Sequence, residues 1–187
     1  MTEPDHVARP RLGEFADGRL VGARWLASPN CDARPPGATI SLIVIHAISL
    51  PPGEFGGDGI ERLFTNRIDV CAHPYYRELE ALRVSAHFLI DRQGGLTQFV
   101  ACTQRAWHAG VSSWRGRQAC NDFSIGIELE GCDGRPFEEP QYMLLETLLR
   151  SLRGIYPSVE VVGHSAIAPG RKTDPGPNFD WARVRSA

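Results

Sequence analysis

The chain has 187 residues, 42% of them hydrophobic and 22% charged, with a formal net charge of −2. That balance belongs to a globular chain and excludes a disordered or fibrous one, and the length suits one domain with a sizeable core better than two full ones. No basic block and no Lys/Arg stripe interleaved with aromatics occurs, so nucleic acid is not an expected partner; no apolar run approaches a membrane span, so no membrane is expected either.

Residues 1–19 are polar and contain prolines, and read as a loosely ordered N-terminal extension ahead of a single domain at 20–187. The first twenty residues lack the apolar stretch of a secretory signal. Cys31, Cys71, Cys102, Cys120 and Cys132 are odd in number and without CxxC spacing, which speaks against a disulfide framework or a zinc knuckle and for reduced thiols in a cytoplasm. Ile40 to His46 is a near-continuous, β-branched apolar run of the kind that forms a central strand buried on both faces, and its last residue is a histidine. The following Ser49 to Gly57 holds two prolines and three glycines and must be loop. Ile60 to Phe64 suits a short helix. Asn66 to Arg83 reads as irregular, and a long loop inside a compact domain is more often functional than not.

Ala86 to Ile90 and Leu96 to Val100 read as an antiparallel hairpin joined through Gly94 and Gly95. Ser124 to Gly131 alternates, with Ile125, Ile127 and Leu129 on one face and Gly126, Glu128 and Glu130 on the other. Tyr142, Leu145, Leu148, Leu149 and Leu152 recur at three- and four-residue spacing, which predicts a helix over 140–152 with one buried face. Val159 to Val162 reads as a strand, and VGHSAIAPGRKTDPGP (162–177) follows as a stiffened loop in which no regular helix is expected. Strands alternating with a few helices, one hairpin among them, give an α/β (α+β) fold: a mixed central β-sheet flanked by helices.

His46 and His164 both fall at strand ends, and Asp174 lies on the loop beyond. Two neutral imidazoles and a carboxylate form a ligand set suited to a catalytic zinc that keeps one position open, although any one of these histidines alone is as readily a satisfied strand-end residue. Glu128 is the candidate general base, with Glu130 on the same face as competitor; a carboxylate on a half-exposed strand is otherwise most often simply solvated. Lys172 could face a developing oxyanion. His87 reads as a core histidine, Trp107-His108 as part of a binding loop, and His73 belongs to no constellation.

The stretches ISLPPGEFGG (48–57), LRVSAH (82–87), RAWHAGVSS (105–113), CNDFSIGIELEG (120–131) and RKTDPGP (171–177) resemble, in the same order, those of the AmpD family of cytoplasmic 1,6-anhydro-N-acetylmuramyl-L-alanine amidases. The likeness spans residues 24–185. It implies a peptidoglycan-recognition-protein-like fold and a Zn2+ ion held by His46, His164 and Asp174. Glu128 and Lys172 fall on the catalytic positions, and Arg83, Ala47, Ala119 and His108 are the candidate substrate contacts. The implied substrate is a muropeptide from cell-wall recycling, cut between the muramyl lactyl group and L-alanine by a monomer. This chain departs from the family at three alanines. Ala47 stands where the family usually has Asn, Ala119 where Arg is common, and Ala166 where Asn is common. Each lost hydrogen bond to a charged group is worth about 1.5 to 3 kcal/mol, enough to shift specificity. A muropeptide-binding protein without catalysis is the rival from another class; it would have no need of Glu128 and Lys172 together.

Overall fold

The apolar run after residue 40 is a strand, Leu42–Ile48, whose first five positions are buried. In the computed structural model, which describes residues 12–185, it is the fifth strand in chain order. The strands are β1 Phe15–Ala16, β2 Arg19–Leu20, β3 Arg24–Trp25, β4 Cys31–Ala33, β5 Leu42–Ile48, β6 Phe88–Ile90, β7 Leu96–Gln98, β8 Gln104–Ala106, β9 Ser113–Trp114, β10 Arg117–Gln118, β11 Ser124–Glu130 and β12 Glu160–Gly163. The helices are α1 Gly59–Phe64, α2 Glu139–Ile155, the one-turn α3 His164–Ile167 and α4 Trp181–Arg185.

Six strands form the central sheet in the order β12-β5-β11-β6-β7-β3. β12, β5, β11 and β6 run parallel, and β7 turns back against β6, so the sheet is mixed as expected. The hairpin turn is held by Asp91, whose Oδ1 accepts the backbone N–H groups of Gln93 at 2.9 Å and Gly95 at 2.7 Å. Gly94, at φ +82°, supplies the left-handed residue that the turn requires.

Alternation along β11 divides the molecule into two faces. Ile125, Ile127 and Leu129 pack with Ile43 and Ile45 of β5 and with Leu145, Leu148, Leu149 and Leu152 of α2. On the other face Leu42 and Val44 meet Cys120, Phe123, Val162 and Ile167. Every residue of β11 is buried, so the half-exposed setting expected for Glu128 is not found; β5 and β6 flank the strand and both of its faces are covered. At the start of α2, Gln141 accepts the backbone N–H of Glu138 at 3.0 Å and donates to the carbonyls of Ile90 and Glu130 at 3.3 and 3.1 Å. One side chain thereby caps the helix and ties it to the carboxyl ends of β6 and β11.

The segment between β5 and β6 contributes α1 and a 3-10 turn at Pro74–Leu79, from which Leu50, Ile60, Leu63, Phe64, Tyr76 and Leu79 join Leu89 and Phe99 in a further apolar cluster. His73, for which no role was expected, accepts the Tyr75 N–H at 3.1 Å and caps that turn. Residues 1–11 of the expected loose extension lie outside the described residues. From residue 12 onward the extension is held: β1 and β2 pair, Phe15 meets Phe88 edge-on with centroids 6.4 Å apart, and Leu20 is buried. The polar residues between these apolar ones hid their spacing in the sequence. All five cysteines are free, and no helix of the described residues is long and apolar enough to cross a membrane.

Leu145 is fully buried between α2 and the sheet. Leu145→Ala is expected to lower unfolding stability by about 2–5 kcal/mol, read from the urea midpoint; an unchanged midpoint would contradict this packing.

Candidate metal centre and catalytic cleft

Parallel strands bring their carboxyl ends to one side of a sheet, and crevices there are where such sheets bind ligands. The register of β11 on β5 sets Glu128 opposite His46. That of β12 on β5 sets Gly163 opposite Ile45, which leaves His164 beside His46. His164 was expected outside any helix; it opens α3, because the chain bends into a helical turn directly after Gly163. A Cβ on Gly163 would meet the Pro175 ring at 2.8 Å and the Trp181 ring at 3.1 Å, so the bare backbone there lets the 164–177 segment fold back on itself. The returning part of that segment is pinned where the Ser165 N–H donates to the Asp174 carbonyl at 2.9 Å.

His46 Nδ1, His164 Nδ1 and Asp174 Oδ2 consequently form a triangle with sides of 3.0, 3.1 and 3.1 Å. A tetrahedral zinc with bonds of 2.0–2.1 Å separates its ligand atoms by about 3.3 Å, so the triangle closes on an ion of that kind with little adjustment. The chemistry of the atoms agrees. His164 Nε2 lies 3.1 Å from the Ala109 carbonyl, which can only accept; that nitrogen therefore carries the proton, and Nδ1 turns a lone pair inward. Burial pushes His46 down to about 4, so its imidazole is neutral near pH 7. Among the described residues these three are the cluster whose donor atoms converge as metal ligands would.

Glu128 is buried, and its Oε2 has no hydrogen-bond partner. Burial, and then the nearby Asp174 carboxylate, raise its carboxyl well above the usual range, against an opposing effect of Lys172. A buried carboxylate oxygen with nothing to bond marks a place for a missing polar group. Glu130, the competing base, is excluded by its own bonds: it accepts the backbone N–H groups of Gly56 at 2.6 Å and Arg92 at 3.2 Å, fastening two loops to the end of β11.

The five polar residues His46, Glu128, His164, Lys172 and Asp174 line one cleft of about 730 Å³, walled on another side by apolar groups that include Leu50, Leu79 and Trp107. Arg83 and Ala47 also line it. Arg83 donates Nη1 to the carbonyls of Glu80 and Leu82 at 2.8 and 3.0 Å, bracing its own loop. Ala119 is placed differently from expectation: with φ +57° it lines a neighbouring depression that shares Gly110 and Arg171 with the cleft. His108 lines the cleft as well. Its Nδ1 lies 2.9 Å from His46 Nε2 and its Nε2 lies 3.1 Å from Ser124 Oγ, so both ring nitrogens have protein partners. His87 is a core histidine as expected, accepting the Gly126 N–H at 3.0 Å.

The sequence reading missed the residues that hold these groups from behind. Asn121 Oδ1 accepts the backbone N–H groups of His108 and Ala109 at 3.1 and 2.8 Å. Arg171 Nη2 donates to the carbonyls of Ala109 and Val111 at 2.8 and 2.6 Å, joining the His108 loop to the Asp174 loop. The signal for Asn121 is weak but present, since a small polar residue just before a strand is free to bond backbone it does not adjoin.

Three buried histidines have one consequence for stability. Burial holds His46 at about 4, His87 at about 3 and His108 well below its ordinary value, whereas in the unfolded chain each titrates near 6.5. Between these limits the unfolded state binds more protons, so stability is fully present above about 6.5 and is lost as pH falls, by about 1.4 kcal/mol per pH unit for each group. Glu128 acts in the opposite sense, since its raised folded value weakens the fold as pH rises above 4.5. Three groups outweigh one. The urea midpoint of the metal-free protein is expected to fall between pH 7 and pH 5.5, and an equal midpoint at both would show that these imidazoles are not held neutral.

The sequence profile of N-acetylmuramoyl-L-alanine amidases matches residues 36–177. The 1,6-anhydro-N-acetylmuramyl-L-alanine amidase AmpD of Escherichia coli is 56% identical over 170 residues, 90% of this chain and 93% of that protein. The Haemophilus influenzae protein of the same name is 47% identical over 180 residues, 95% of this chain and 98% of its own. A crystal structure of a selenomethionine AmpD derivative superposes with a TM-score of 0.90 at 53% identity, covering 92% of this chain and 97% of that one. The strand register, the converging histidines and these likenesses agree, and the chain belongs to the N-acetylmuramoyl-L-alanine amidase family.

Proposed function

We propose that this enzyme is a zinc-dependent amidase that hydrolyses the bond between the lactyl group of (1,6-anhydro-)N-acetylmuramic acid and L-alanine, acting as a monomer on muropeptides in cytoplasmic cell-wall recycling. The observation that carries the reading is the triangle of two Nδ1 atoms and one carboxylate oxygen beside the unpartnered Oε2 of Glu128. The substrate class is supported by relatives: the E. coli protein at 56% identity is named for this bond, and the Pseudomonas aeruginosa protein AmpDh3, at 31% identity, was solved in complex with an anhydromuramic pentapeptide. The amidase unit spans residues 20–187, with β1 and the turn into β2 packed on it.

Zinc held by His46, His164 and Asp174 would supply a Lewis acid that polarises the scissile carbonyl and brings the pKa of a water toward about 7. Glu128 has the position and environment of a general base. A cation in the adjoining triangle would favour its carboxylate; as base it takes a proton from the attacking water and returns it to the departing alanine amine as the carbon–nitrogen bond breaks. Lys172 brings a positive charge to the same cleft, offsetting the charge that builds on the carbonyl oxygen. The apolar wall around Trp107 excludes water from the remainder of the substrate, while Arg83 at the cleft offers a guanidinium to a peptide carboxylate. Ala47 presents no polar side-chain atom and Ala119 faces the adjoining depression, so recognition in this chain leans on Arg83 and on shape.

Glu128→Gln is expected to keep one zinc per chain and lose about 10²- to 10⁴-fold in turnover of an anhydromuropeptide, followed by chromatography; near-normal turnover would remove Glu128 from the chemistry. His164→Ala is expected to lose stoichiometric zinc by elemental analysis, and retained stoichiometry would remove His164 from the ligand set.

A further inference from the structure

Oxygen atoms 2.6 Å apart need a proton between them, and this separation occurs between Ser124 Oγ and the Cys120 carbonyl. The carbonyl has no proton, so the single hydroxyl hydrogen of Ser124 points at it. Ser124 Oγ can then meet His108 Nε2, 3.1 Å away, only as an acceptor, which puts the His108 proton on Nε2. His108 is buried, and a neutral imidazole carries a single N–H, so with the proton on Nε2 its Nδ1 is bare. That bare nitrogen lies 2.9 Å from His46 Nε2. His46 must therefore donate from Nε2, and its own Nδ1 is left with a lone pair directed into the triangle with His164 and Asp174.

We infer that His108 is a positioning residue whose tautomer, set by the Ser124 hydroxyl, fixes the tautomer of His46 and so prepares Nδ1 of His46 to bind the metal. The inference rests on the metal reading above and adds to it a relay of Cys120, Ser124, His108 and His46, in which one hydroxyl on a strand decides the state of an imidazole two residues away along the hydrogen-bond path. His164 reaches the same end more simply, through the Ala109 carbonyl.

The seat of the relay is built for it. A Cβ on Gly126 would stand 2.5 Å from His108 Cγ and 2.7 Å from its Nδ1, so the ring lies on bare strand backbone. The Gly126 N–H is in turn taken by His87, and Asn121 holds the His108 and Ala109 backbone. The glycine is required by the close approach of an imidazole, since its neighbours Ile125 and Ile127 face the other way.

Two measurements on each variant test the relay: ¹⁵N NMR of labelled histidines in the metal-free protein, which reports which ring nitrogen carries the proton, and zinc affinity by competition with a chelator. In the wild type His46 and His108 are both expected as Nε2–H. Ser124→Ala is expected to lose that single tautomer at both rings and to weaken zinc by about 10- to 100-fold, while Ser124→Thr, which keeps the hydroxyl, retains both. His108→Asn, whose Oδ1 can replace Nδ1 as acceptor, should recover part of the affinity that His108→Leu loses. Gly126→Ala should displace the ring and weaken zinc with every relay side chain still present. An unchanged His46 tautomer and unchanged zinc affinity in Ser124→Ala would overturn the relay. The tautomer arm needs no metal, so a wild type that shows the Nε2–H pattern, loses it in Ser124→Ala and binds no zinc would uphold the relay and overturn the metal assignment instead.

Discussion

Three electron-pair atoms held 3.0–3.1 Å apart repel one another unless a proton or a cation lies among them. His164 commits its proton outward to a carbonyl, and burial keeps His46 neutral, so both imidazoles can turn a lone pair toward the Asp174 carboxylate, a donor set that a cation would suit. Much of the rest of the molecule serves to bring these atoms together. The parallel register of β5, β11 and β12 brings together residues separated by 118 positions in the chain. Gly163 leaves room for the loop to return, and Arg171 with Asn121 clamps the loop behind it.

The same constraint explains why so many polar groups are buried on one face of an otherwise apolar sheet. On the α2 side, β11 and β5 present only aliphatic residues and pack as a core would. On the other side Ser124, Gly126, Glu128 and Glu130 follow one another along a single strand. Ser124 places a hydroxyl at the relay's end, Gly126 leaves bare backbone beneath an imidazole, Glu128 is the proposed base, and Glu130 fastens two loops. Buried polar groups are costly unless bonded. Along this strand Ser124 and Glu130 are bonded, whereas Glu128, where chemistry is proposed, holds the one orphaned carboxylate oxygen among the described residues.

Much of this was legible in the sequence because it rests on local patterns. The apolar run to His46, the alternation around Glu128, the hairpin at Gly94 and the leucine spacing of α2 each report a periodicity that burial enforces. Strand ends and the loop after β12 nominated His46, His164, Asp174, Glu128 and Lys172, the family likeness implied their assembly, and all five line one cleft. What was not legible depends on contacts between distant segments. His108 read as a binding residue because a Trp-His-Ala-Gly loop resembles a ligand loop; only the fold shows both its ring nitrogens taken by His46 and Ser124. Glu130 looked equivalent to Glu128 by parity, and the backbone donors of Gly56 and Arg92 distinguish them. Leu12, Phe15 and Leu20 sit among polar neighbours, so their packing against the domain could not be read from spacing.

The most direct test of the proposed chemistry is hydrolysis of a defined anhydromuropeptide by the zinc-loaded protein in water enriched in ¹⁸O, read by mass spectrometry. Water attack on the lactyl carbonyl predicts a released peptide with a free L-alanine amine and an anhydromuramic acid whose new carboxylate carries one ¹⁸O. Recovery of intact muropeptide, or a cut at any other bond, would contradict it.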